Sequence, residues 1–272
     1  MSWKAVAVHR LAHLIPSLAV GTENTNFPVF NISGLDPSLA AMLNHSVSSY
    51  AELRWDRGAA ATGGINCALF INHNIFSRAC TWTLYGGDTA GATTDMLATG
   101  TPTSNADIFA AFDSSTRRHF TLRVANKYED AGSNIRIGVF SAGFYYDLGG
   151  HPFNSGVNTQ STQAVIGKAS AIGVPHITGY SEGIRSVSRT FSMVIHANAL
   201  AMDRYLACQW DSVTGDQTID GIGGGGGGNP LALVDDSNNV YYGYVTGEIT
   251  QRAPYGDSVT LSISTIPHPG VN

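Results

Sequence analysis

The chain has 272 residues, room for one large domain or two ordinary ones, each with a buried core. Hydrophobic residues make up 43% but charged residues only 13%, about half the ~25% of an average soluble chain, and glycine takes 31 positions. Such a composition suits β-sandwiches with long loops and surfaces covered by neighbours. The net charge of −5, with Arg117-Arg118 as the largest basic cluster, excludes a phosphate-tracking surface for nucleic acid.

The N-terminal segment MSWKAVAVHRLAHLIPSLAV reads as a strand over Trp3–His9. It makes a poor signal peptide, because His9, Arg10, His13 and Pro16 interrupt its apolar run. No run approaches the ~18 apolar residues of a membrane span, so synthesis and retention in a cytoplasm are expected. Asp36 followed by Pro37 reads as an N-cap and first helical position, which predicts a short helix over Pro37–Ser48. Ile65–Asn72 (INCALFIN) is too continuously apolar for an edge and is expected to lie centrally, buried on both faces. Thr81–Tyr85 reads as a strand, and residues 86–107, rich in Gly, Thr, Ser, Asp and Asn, read as a long loop. Phe120–Ala125 and Ile135–Phe144 read as further strands. Residues 151–183, with turn-formers and an extended polar stretch, read as a linker between a domain over 1–150 and a second over 184–272. In that second part Arg185–Ile195 alternates polar and apolar residues, as a half-buried strand does. Asn198 caps a predicted helix to Trp210, with Met202, Leu206 and Trp210 on one face. Leu231–Val234, Tyr241–Ile249 and Ser258–Ile266 read as strands. One helix across an antiparallel sheet predicts an α+β or helix-decorated sandwich.

Little points to catalysis. His9 and His13 stand at i, i+4, but no ligand follows at metal-site spacing, and the other histidines read as turn or core residues. The run Gly223–Gly228 contains GxGxxG by composition alone, without the strand and helix a dinucleotide site needs. It reads as backbone free to lie flat against a neighbour. No GxSxG elbow is present. Glu129-Asp130 and Asp235-Asp236 are adjacent, so in a strand they point to opposite faces, and they read as turn residues. Asp88, Asp95 and Asp107 could hold calcium only as an irregular loop site. Cys67 and Cys80 could approach each other in a sheet, but free buried cysteines are the preferred reading. No cofactor or metal is expected. In Tyr145-Tyr146 and Tyr241-Tyr242 the rings alternate between faces, so half of them must leave the core. These four tyrosines, with Gly223 and Gly228, are the candidate interface residues.

Three stretches carry a family resemblance. Asn26-Phe27-Pro28-Val29-Phe30-Asn31-Ile32 looks like a "Tyr/Phe-Pro-x-x-Asn-Leu" step. Trp55 precedes INCALFINHN, whose His73-Asn74 looks like a "His-Asn" turn that ends a strand after a Trp. Ile137-Gly138-Val139-Phe140-Ser141-Ala142-Gly143 is similar to a closing "Ile-Gly-x-Phe-x-x-Gly". Together they resemble the galactose-binding-like (discoidin-like) β-sandwich at the front of bacteriophage tail proteins. The second half resembles more loosely a tail-associated domain, through Arg189–Val194, the Asn198–Trp210 helix and Asp235–Gly243. The resemblance implies a mainly β fold: an N-terminal galactose-binding-like β-sandwich, then a C-terminal β-sandwich or α+β domain with one packed helix. It implies a non-enzymatic virion structural protein of a phage tail, near the distal tip or baseplate, which forms a homo-oligomeric ring and docks other tail proteins. The alternatives are a carbohydrate-binding module that recognises a host-surface glycan through the loops of the N-terminal sandwich, for which a loop aromatic such as Tyr85 would matter, and a capsid decoration protein.

Overall fold

The computed structural model describes the backbone of residues 3–8, 11, 14–33, 36–44, 50–59, 63–126, 134–148, 154–161, 165–169, 175–180, 185–195, 231–245, 250–251 and 259–265, and side chains chiefly within 3–148 and 231–243. The described chain is mainly β. Its helical element is a single 3-10 turn over Val29–Ser33, and the predicted helix Asn198–Trp210 lies outside the described residues.

Two sheets face each other across the main core. The first is five-stranded and antiparallel: β2 (Ser17–Val20), β5 (Tyr50–Asp56), β10 (His119–Asn126), β7 (Cys80–Gly87) and β8 (Asp95–Gly100), in that spatial order. The second holds β3 (Thr22–Glu23), β4 (Ala41–Asn44), β11 (Ile135–Asp147), β6 (Ile65–His73) and β9 (Ile108–Ser115). Alternation explains the packing between them. Ala51, Leu53 and Trp55 of β5, Phe120, Leu122 and Val124 of β10, and Trp82 and Leu84 of β7 point inward. They meet Ala68 and Phe70 of β6 and Ile137, Phe140 and Ala142 of β11. Phe70 lies 5.0 Å from Trp82 and 4.9 Å from Phe140 between ring centroids, at tilted angles that aromatic pairs favour.

A third layer explains why INCALFIN is apolar on every residue but Asn66 and Asn72. The opposite face of β6 and β11 (Cys67, Leu69, Ile71, Val139) packs on Val6 of β1 (Lys4–Val8), on Ala232 and Val234 of β16 (Leu231–Val234), and on Tyr242 of β17 (Val240–Val245). β1 pairs with the end of β11 on one side and with β16 on the other, so it joins the two parts of the chain in one continuous sheet. Beyond β17 that sheet runs through β19 (Val259–Thr265), β15 (Arg185–Ile195) and β12 (Asn154–Ser161), with β18 (Thr250–Gln251) beside β19.

Three expectations change. No helix forms over residues 37–44. Asp36 instead closes a turn, its Oδ1 accepting from the Ser38 amide at 2.9 Å and hydroxyl at 2.7 Å, and Ala41–Asn44 pairs with β11. Alternating apolar residues in so short a segment fit either period, and the ladder with β11 decides. The Gly86–Asp107 loop contains β8, whose Met96, Leu97 and Thr99 form strand as readily as loop once β7 is their partner. The 151–183 linker contains β12 and the hairpin of β13 (Val165–Ala169) and β14 (Pro175–Tyr180). Polar β12 finds its partner in β15 over a full register, Asn154↔Ser192 to Ser161↔Arg185.

Candidate functional site

The inner face of the five-stranded sheet builds the core, so its outer face carries the residues in between: Tyr50, Glu52 and Arg54 of β5, Thr121 and Arg123 of β10, Thr81, Thr83 and Tyr85 of β7, and Thr99 of β8. Register sets them in rows across the strands. One row runs Glu52, Arg123, Thr83, Thr99; the next runs Arg54, Thr121, Tyr85, Met96. Antiparallel opposition brings such side chains within contact distance, and diagonal neighbours remain in reach of long ones.

Glu52 is the hub. It is fully buried although it stands on the outer face, because Arg54 and Arg123 lie over it. Its Oε1 accepts from Arg54 Nε at 2.6 Å and its Oε2 from Arg123 Nε at 2.6 Å. The guanidinium of Arg123 lies over two rings, 4.6 Å from the centroid of Tyr50 and 5.6 Å from that of Tyr85. Burial opposes the charge of Arg123, but the hydrogen bond and charge of Glu52 outweigh it and raise its pKa above the ordinary arginine value. A buried carboxylate deprived of one such partner is left uncompensated, typically at a cost of about 3–5 kcal/mol.

The surroundings are rich in hydroxyls. Thr83 and Thr99 share a hydrogen bond of 3.0 Å, and so do Thr81 and Thr101 one step along. Thr121 is 1% exposed and its Oγ1 has no hydrogen-bond partner among the described residues. At one end the 88–95 loop leans on the face. Gly91 adopts φ +76°, and a Cβ there would stand 2.6 Å from the Arg54 guanidinium carbon, so only glycine lets the backbone approach so closely. Arg117 clamps that loop through Asp88 and, at 2.6 Å, Asp95. These two aspartates therefore converge on a guanidinium, while Asp107 Oδ1 accepts from the Asn72 amide at 2.9 Å. No group of three or more potential metal ligands occurs among the described residues.

Of the tyrosines singled out from sequence, Tyr85 stands in this group, whereas the four interface candidates lie on the other sheet, Tyr145 and Tyr242 at one hydrophobic cluster. Tyr145 meets Phe109 edge-on at 5.5 Å, and Tyr146 meets Phe144 at 5.2 Å. Tyr241 stacks on Trp3 at 5.7 Å and donates its hydroxyl to Asp235 at 3.0 Å. Tyr242 is buried against Val6 and Val234. Gly223 and Gly228 lie outside the described residues. Tyr85 was named from sequence, but Tyr50, Glu52 and Arg123 were missed because the members of the group come from three strands. The visible signal was the alternation in YAELRWD, where Glu52 and Arg54 occupy the polar positions.

No protein-family model and no curated protein matches the chain. Among solved structures it is similar to chitosan-binding module 1 of a chitosanase/glucanase from Paenibacillus sp. IK-5, at 12% identity and TM-score 0.39, over 49% of this chain and 98% of that one. It is also similar to a CBM32 module of Clostridium perfringens in complex with GalNAc-β-1,3-galactose, at 10% identity and TM-score 0.39, over 50% and 98%. A fucolectin from Morone saxatilis (striped bass) serum aligns over 97% and 94%, at 8% identity and TM-score 0.37. Likeness at this level assigns neither ligand nor site residue to this chain.

Proposed function

We propose that this chain is a non-catalytic carbohydrate-binding protein whose N-terminal sandwich, of galactose-binding-like type, takes glycan on the outer face of the five-stranded sheet. The observation that carries this reading is the Tyr50–Arg123–Tyr85 group set among Thr83, Thr99 and Thr121. Amphipathic rings offer surface to the C–H faces of a sugar, and hydroxyl and guanidinium donors meet its oxygens. Catalysis has no support on this face. Glycoside hydrolysis needs two carboxyl groups flanking the bond, and Glu52 here is buried and engaged by two arginines.

The test is a glycan array followed by calorimetry on wild type, Tyr50→Ala and Tyr85→Ala. Loss of at least about tenfold in affinity, equivalent to ~1.4 kcal/mol, is expected for each variant with the fold retained. A wild type that binds no saccharide, or variants that bind as well as wild type, would refute the assignment.

A second reading, a virion tail subunit that docks its neighbours in a ring, is favoured by one feature. Phe27, Phe30 and Leu39 are exposed at 39%, 58% and 54% on two hydrogen-bonded segments, an apolar set of the kind that neighbours cover. It requires assembly without sugar, which sedimentation of the purified chain reads directly; a monomer at all concentrations rejects it.

A further inference from the structure

We infer that the outer face selects an acidic saccharide, with the ligand's carboxylate received in plane by Nη1 and Nη2 of Arg123. The inference rests on the carbohydrate reading above and specifies the ligand class of that same face.

Three observations lead to it. Arg123 spends Nε on Glu52, and its two Nη groups have no acceptor among the described residues. The guanidinium carbon lies over the rings of Tyr50 and Tyr85, and the donors left for a ligand are the two Nη groups. An edge with two parallel N–H donors matches a planar two-oxygen acceptor better than it matches a single hydroxyl. The charge balance agrees. Arg54 and Arg123 surround one carboxylate, which leaves the group at +1 in a chain of net charge −5. At the far end Arg117 faces both Asp88 and Asp95, a balance of −1 that turns an anionic ligand group toward Arg123. Near Asp56, Arg118 and His119 the pairing of Arg118 with Asp56 is neutral.

The experiment is calorimetry of the full chain with tri-galacturonate and with the neutral trisaccharide of galactose, at low and high salt. At least tenfold tighter binding of the acid is expected, with the preference shrinking in 1 M NaCl as screening removes a surface charge contact. Arg123→Lys keeps the charge and loses the planar fork. It is expected to weaken the acid about tenfold more than it weakens the neutral sugar, with circular dichroism confirming the fold. Equal or tighter binding of the neutral trisaccharide, or binding of neither sugar, overturns the inference and leaves the carbohydrate reading to the glycan array. An acid preference unchanged in folded Arg123→Lys also overturns it. Should that variant fail to fold, the wild-type comparison and its salt dependence still decide.

Discussion

Glu52 and Phe70 mark two ways in which a single residue holds this fold. Glu52 is a charge buried on the outside of a sheet, kept there by two guanidinium groups from its own and the next strand. Phe70 is an apolar ring at the centre, in contact with Trp82, Phe140 and the edge of His73. Phe70→Ala removes the ring where three rigid neighbours cannot close the gap, and a loss of about 3–5 kcal/mol is expected. Urea unfolding checks it: the midpoint falls with the slope unchanged, and a loss below about 1 kcal/mol would mean that the site collapses freely. Cys67 and Cys80 are free and buried, as the behaviour of unpaired cysteine as a small hydrophobe suggested. Burial pushes the Cys67 thiol well above its ordinary value and that of Cys80 up to about 11, so both stay protonated and act as small apolar side chains. Gly138 of the Ile-Gly-x-Phe stretch has a packing role. A Cβ there would stand 2.7 Å from the Pro37 carbonyl oxygen, which also accepts from Asn72 Nδ2 at 2.7 Å.

At the scale of the element, the strands that were legible are those with long apolar or strictly alternating runs. Ile65–His73, Arg185–Ile195 and Leu231–Val234 lie where the pattern placed them. β8 and β12 were not legible, because threonine, asparagine and glycine serve loops and edge strands alike and only a partner strand separates the two uses. The reading of Asp235 as a turn residue holds. Its Oδ1 accepts from the amides of Ser237 at 2.8 Å and Asn239 at 2.9 Å, and its Oδ2 accepts from the Tyr241 hydroxyl. Partial burial alone would raise its pKa, but the hydrogen bonds from Asn239, Tyr241 and Ser237 prevail and hold it below its ordinary value of 3.8. A depressed carboxyl stabilises the fold above its unfolded pKa and loses that contribution as pH falls through the folded one. The near-ultraviolet dichroism of the Trp3–Tyr241 stack is therefore expected to change below pH 3.8. In Asp235→Ala the altered signal should already be present at pH 7. An acid-insensitive signal in wild type would show that the turn does not depend on the charge.

At the scale of the molecule, the main core among the described residues runs from Leu11 to Ala142, all inside the 1–150 segment. The second cluster crosses that boundary: Val6, Leu69, Ile71 and Val139 are covered by Ala232, Val234 and Tyr242. β1 also loses its β16 partner when the chain is cut at 150. A 1–150 fragment is thus expected to keep a cooperative melt but to self-associate through the uncovered face and open strand edge. Light scattering across concentration, beside a thermal melt, checks this. A strictly monomeric fragment would show that the third layer shields nothing, and an unfolded one that the sandwich depends on it.

The amino-acid sequence by itself determined a mainly β chain, its central strand buried on both faces, its longest strands and the turn at Asp235, because periodicity and turn chemistry are local properties. The tertiary structure alone decided which strands are neighbours, and with them the site. Glu52, Arg123, Tyr50 and Tyr85 are up to 73 positions apart and become one group only through the β5–β10–β7 register. Pairing between distant strands is set by packing and loop closure over the whole chain, and no short window of sequence carries that information.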